Sequence, residues 1–281
     1  MSPAHHKSQP PAQPVLRSAS IWIFVFTILI VIVAIAWGYG WRGRLNFQSS
    51  TANGIARIQS AELLLHSGQY MAARKQLQPI LGNPQDPVYR QAQHMQWKID
   101  WTHAMALPPA SLARKRAQAA LILYLEQLLK EGGWSAKEYT QFANDALRIG
   151  AYDQSAEAWL AVARKNPAVA VHAMHAAAAA WTANGKSVKA GQLLLQMALH
   201  CDQAPLQKDY FIRGLTLIQG GGGAKLALFQ GEKTLSRLPG IAKEREIVLI
   251  MARLAISTGQ PKQAARWLKA ELEKPVQAHQ P

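Results

Sequence analysis

Glycines at positions 150, 185, 222 and 259 stand 35, 37 and 37 residues apart, and the residues around them repeat as well. The stretch that opens at Gly150 reads GAYDQSAEAWLAVARKNP, with Tyr152, Ser155, Trp159 and Pro167 at set intervals from the glycine. Gly68 brings Tyr70, Ala73, Leu77 and, one residue early, Pro84. Gly185 brings Ala190 and Leu194; Gly222, inside the run Gly220–Gly223, brings Ala227 and Pro239; Gly259 brings Ala264 and Leu268. Seven residues before the five glycines stand Ala61, Ala143, Ala178, Leu215 and Ala252. A self-similar period of this length means a supersecondary unit used several times, not one irregular core.

The spacing predicts helix hairpins. Apolar residues near each glycine recur every three or four positions, as on one face of a helix, and no stretch alternates in the manner of a strand. Glycine accepts the left-handed conformation that ends a helix and turns the chain. The small residue before it and the small residue after it then face each other, so two antiparallel helices can approach closely. The larger residue nine on fills the space between hairpins, and the proline stops the second helix. Each hairpin leaves an apolar face bare, which predicts stacking into a solenoid.

These residues resemble the tetratricopeptide repeat. The resemblance covers residues 54–274, about five to six repeats. It departs from the family pattern where Tyr139, Met174 and Val248 replace an early tryptophan, and across residues 85–130. It implies a non-enzymatic scaffold for protein–protein interaction, with the first helix of each hairpin lining a concave face. Carried onto this sequence, the partner-binding residues are Lys137, Thr140, Asn144 and Arg148 in one repeat, His172 and His175 in the next, and Arg253 in the last. The expectation is an acidic partner held more tightly near pH 5.5 than near pH 7.5, because free histidine titrates at about 6.5. Two stretches, ALRIGAYDQSAEAWLAVARKNP and AAAAAWTANGKSVKAGQLLL, are also similar to the periplasmic scaffold of exopolysaccharide-export proteins of the PelB type, which implies a part in exopolysaccharide biosynthesis or export.

The N-terminal region reads differently. Residues 1–20 hold four prolines and few apolar residues, the composition of a disordered tail. Residues 21–41, IWIFVFTILIVIVAIAWGYGW, carry no charge and would span about 30 Å as a helix, with Trp22, Trp37, Tyr39 and Trp41 at its ends. The fold class expected is therefore all-α: an N-terminal transmembrane helix, a juxtamembrane linker over 42–53, an α-solenoid of tetratricopeptide-like hairpins over 54–274, and a disordered tail over 275–281. The localisation expected is the inner (cytoplasmic) membrane, single-pass, with the repeats in the periplasm and the partners in the cell envelope. Gly38–Gly43 matches a dinucleotide fingerprint as a string, but no strand precedes it.

Catalytic chemistry is not encoded in any motif. No H-E-x-x-H, G-x-S-x-G or phosphate loop occurs, and GGGGAK at 220–225 lacks the ending that a phosphate loop needs. No cofactor is expected. His172, His175, His200 and Cys201 would have to converge to hold a metal, and they read as surface residues. The chain has 31 Lys and Arg against 16 Asp and Glu, a formal net charge of +15, and all but Lys7 and Arg17 of the basic residues follow Trp41. That balance favours an acidic protein, an anionic polymer or a lipid surface. Nucleic acid is not expected, for want of a recognition module.

Overall fold

The computed structural model describes residues 51–272, with side chains described through Lys269. Every regular element among these residues is helical, and no strand occurs among them. The helices are α1 (51–66), α2 (Tyr70–Leu81), α3 (Tyr89–Ala106), α4 (Leu112–Glu131), α5 (Ala136–Arg148), α6 (Tyr152–Lys165), α7 (Ala170–Ala183), α8 (Ser187–His200), α9 (Ala204–Gly222), α10 (Ala224–Leu235), the short α11 (Pro239–Ala242), α12 (Arg245–Ser257) and α13 (Pro261–Leu272). Helix is already formed at residue 51, three residues before the expected start of the repeats.

The contacts divide the chain into two compact units, with the boundary between Ile99 and Asp100 inside α3. In the first unit a small core joins Ala61 to Ala73, Leu77, Ile80, Val88 and Met95. The second unit holds the longer apolar core, which runs from α6 to α13.

The glycine period has a direct structural cause. Gly68, Gly150, Gly185 and Gly259 all adopt φ between 71° and 75°. At each, the following amide closes the same six-residue loop onto the preceding helix: Gln69 to Leu64 O, Ala151 to Ala146 O, Lys186 to Trp181 O and Gln260 to Ala255 O, at 2.8–2.9 Å. This is the Schellman ending, which satisfies carbonyls that the helix end would leave bare. The fourth turn differs: α9 continues through Gly222, and Gly223, at φ 84°, alone separates it from α10. Small residues flank four of the five turns, and Leu215 with Ala227 flanks the other. Ala61 and Ala73, Ala143 and Ser155, Ala178 and Ala190, Leu215 and Ala227, and Ala252 and Ala264 are all buried. The Ser155 hydroxyl donates to the Ala143 carbonyl at 2.8 Å, which satisfies a buried polar group between the paired helices. Polar ties also join successive hairpins within the second unit, Asp153 to Lys186 and Glu232 to Gln263.

A close helix crossing joins successive hairpins of the second unit, at α8 and α9. A Cβ on Gly191 would stand 2.5 Å from the Gly214 carbonyl oxygen and 2.6 Å from Ile218 Cγ1. A Cβ on Gly214 would stand 2.9 Å from the Gly191 carbonyl oxygen. The two backbones therefore touch with no side chain between them. Gly231 of α10 is similarly covered by the Met251 thioether of α12.

At its N-terminal end the second unit is anchored by Trp134. Ser135 and Glu138 form a capping box that starts α5, with Ser135 N–H donating to Glu138 Oε2 at 2.8 Å. Just before it, the buried Trp134 indole donates to Leu128 O at 2.7 Å and sits edge-on to Phe142 at 5.4 Å. The basic cluster Arg114–Arg116 falls in the first turn of α4, where the Arg114 guanidinium donates to Leu107 O and Met105 Sδ.

Two expectations are corrected. The fold is all-helical and repeat-like, but no described helix is long and apolar enough to cross a membrane. The two longest are charged: α4, of 20 residues, carries Arg114, Lys115, Arg116, Glu126, Lys130 and Glu131, and α9, of 19 residues, carries Lys208, Asp209 and Arg213. Residues 21–41, on which the transmembrane helix was placed, lie outside the described residues, as do residues 1–20, 42–50 and 275–281. The same finding removes the structural ground for a single-pass inner-membrane localisation, which is withdrawn with it.

Candidate functional site

Side chains that a repeat places at helical spacing line a groove of about 590 Å³ formed by α7, α8 and α9. Its apolar lining comes from Ala178 and Ala179 of α7, Leu194 of α8 and Leu217 of α9. Its polar lining comes from His175 and Thr182 of α7 and Arg213 and Thr216 of α9. Alanines keep the α7 wall low, which opens the groove. His175, Ala179 and Thr182 follow one another at four- and three-residue steps and so share one helix face.

The polar groups are ordered by hydrogen bonds. His175 Nε2 and the Tyr210 hydroxyl share a bond of 3.1 Å, with ring centroids 5.1 Å apart. Arg213 Nη1 pairs with Asp209 Oδ2 at 3.3 Å, one turn earlier on α9. The Thr182 and Thr216 hydroxyls donate to Ala178 O and Ile212 O of their own helices, at 2.8 and 2.9 Å. Their protons are thereby spent, whereas the Arg213 guanidinium has donors beyond the one that Asp209 takes. Hydrogen bonding in the groove thus favours a ligand rich in acceptors.

Burial pushes the His175 imidazole below the usual histidine range, helped by the Arg213 charge and by His172, with Asp209 opposing. Burial, with Cys201 and Asp209, pushes the Tyr210 hydroxyl up, against the Arg213 charge. His175 accordingly stays neutral to lower pH than a free histidine. Its lowered proton affinity also fixes a sign for stability. The unfolded chain takes up a proton below about pH 6.5 while the folded one resists it, so stability present above that pH is lost as pH falls through it. Melting temperatures measured from pH 8 to pH 5 are expected to fall less steeply in His175→Gln than in the wild type; parallel curves would remove this role.

The seven sequence-derived residues are distributed unevenly. His175 lines the groove. His172 is exposed one turn earlier and sits edge-on to Trp159 at 6.2 Å. Lys137, Asn144 and Arg148 are exposed on α5, Thr140 donates to Ala136 O of the same helix, and Arg253 is exposed on α12. None of these five lines the groove. Thr182, Tyr210, Arg213 and Thr216 were not singled out. The period that selects His175 also selects Ala179 and Thr182, but the glycine run at 220–223 blurred the register of α9. Among the described residues no group of three or more His, Cys, Asp or Glu is placed to hold a metal ion. No protein-family model matches this chain, and no curated protein matches it.

Proposed function

We propose that this chain is a protein-binding scaffold, an α-solenoid of tetratricopeptide-like hairpins whose α7–α9 groove holds an extended acidic segment of a partner. The observation that carries this reading is the groove itself: an apolar floor, hydroxyls whose protons are spent, and one guanidinium at the rim. A floor of this kind takes apolar side chains, while Arg213 selects for a carboxylate nearby. The exposed basic residues Lys137 and Arg148 on α5 and Arg253 on α12 extend the positive surface along the first helices of neighbouring hairpins. The likeness to exopolysaccharide-export scaffolds makes polysaccharide-assembly proteins the first partners to examine.

The test uses a photoreactive residue at Ala179, in the groove, and another at the exposed Glu157 of α6. The partner is expected to crosslink from position 179 and not from position 157. Its affinity for the full chain is then expected to fall at least tenfold in Arg213→Glu, about 1.4 kcal/mol, and to fall also in Ala179→Trp, which fills the groove. A partner whose affinity is indifferent to both substitutions would overturn the assignment.

A further inference from the structure

On the other side of α8 we propose a second docking surface, formed by α6, α7, α8 and α10, for an acidic amphipathic segment of a protein. Gln192 and Gln196 lie about half a turn around α8 from Leu194, which lines the first groove, so they face away from it. They line two adjoining cavities at once. One, of about 430 Å³, has an apolar floor of Leu160, Met174, Trp181 and Leu193. The other, of about 300 Å³, is floored by Leu195 and Leu199. Two apolar hollows separated by an amide wall suit two apolar anchors on one segment, the way an amphipathic helix is read in a groove.

Charge decides the rest. Arg164 and Lys189 edge the first hollow, Lys233 and Arg237 the second, and all four are exposed. No carboxylate lines either hollow. Elsewhere in the second unit Lys186, Lys208 and Arg213 are each paired with an acidic side chain. Among the described residues none of the four cations at these hollows has an ion pair; Lys189 stands over the Trp181 ring, 5.8 Å from its centroid, and its charge also reaches the Asp153 carboxylate. Four exposed positive charges, none of them in an ion pair, around an apolar floor complement acidic residues flanking apolar ones, and steer their approach. A single-stranded nucleic acid would call for several stacking aromatics, and Trp181 is the one aromatic lining either hollow. A purely anionic polymer would have no use for the aliphatic floors.

Four labelled probes separate these ligands on the full chain, each titrated by fluorescence anisotropy: a peptide of four Glu-Glu-Leu-Leu repeats, the same peptide with serine for leucine, polygalacturonate, and a twenty-nucleotide oligothymidylate. The leucine peptide is expected to bind at least tenfold more tightly than the serine peptide. Its affinity is expected to fall at least tenfold in Lys233→Glu/Arg237→Glu, checked by circular dichroism for an unchanged fold, and to stay within twofold in Lys225→Glu, at an exposed α10 lysine that lines neither hollow nor the α7–α9 groove. Equal binding of the two peptides, or tighter binding of polygalacturonate or oligothymidylate, would overturn the proposal. So would loss of the leucine peptide on Arg213→Ser with no effect of the double variant, since binding would then lie in the first groove.

Discussion

Gly191→Leu is expected to lower the melting temperature by roughly 6–12 °C, the equivalent of about 3 kcal/mol or more. The reason is the neighbour that the new side chain would meet. Gly214 carbonyl oxygen and Ile218 N lie 2.5 and 3.1 Å from the Cβ position, and backbone cannot swing aside as a side chain can. Gly191→Ala introduces the same Cβ but recovers about 0.5–1 kcal/mol of helix preference, so its net loss is smaller. Gly214→Ala presses on the same crossing from the other side. The double variant Gly191→Ala/Gly214→Ala should therefore lose a different amount from the two singles together, because both act on one contact. Thermal unfolding followed by circular dichroism reads all four variants. A Gly191→Leu protein that melts within a degree of the wild type would show that α8 and α9 do not cross here.

Trp134→Ala is expected to cost about 3–5 kcal/mol. The indole is one of the largest fully buried side chains among the described residues, and its removal empties the space beside Phe142 and leaves Leu128 O with the Gly132 N–H alone of its two donors. Trp134→Phe divides these losses. It keeps most of the apolar volume and gives up the 2.7 Å hydrogen bond, so about 0.5–1.5 kcal/mol is expected, since Gly132 N–H still donates to the Leu128 carbonyl. Denaturant titration of the two variants measures both losses. Equal destabilisation by alanine and phenylalanine would mean that the hydrogen bond, not the packed ring, holds this end of the unit.

The hairpins were legible in the sequence because their turns demand one residue type. Only glycine takes φ above 70° without strain, so Gly150, Gly185 and Gly259 mark three helix ends directly. The small pairs were legible for a similar reason, since no large side chain fits between helices as close as those carrying Ala143 and Ser155. Glycine inside a helix gives no such signal. At Gly191, Gly214 and Gly231 it reads as a weakness, and its purpose exists only in the partner helix that it admits. The site was less legible than the fold. A period tells which face of α5 or α12 a residue occupies, and so it selected Lys137, Arg148 and Arg253. It does not tell where neighbouring helices leave a gap, and that gap depends on the alanines of α7 and on the position of α9. The irregular turn at Gly223 hid α9, and with it Tyr210 and Arg213.

The Schellman endings at Gly150 and Gly185 have a genetic consequence. Because both turns close with the same bond pattern 35 residues apart, recombination between the codons for these glycines would delete one whole hairpin and leave an intact turn behind. The new hairpin would still bring Ala143 opposite Ala190, one small residue facing another. Arrays of different length could thus arise in single steps, without an unfolded intermediate sequence. An exchange at Gly223 has no such freedom: its turn is of another kind, and the Gly191–Gly214 crossing ties α9 to one particular neighbour. The array can be lengthened or shortened before α8, and is locked after it.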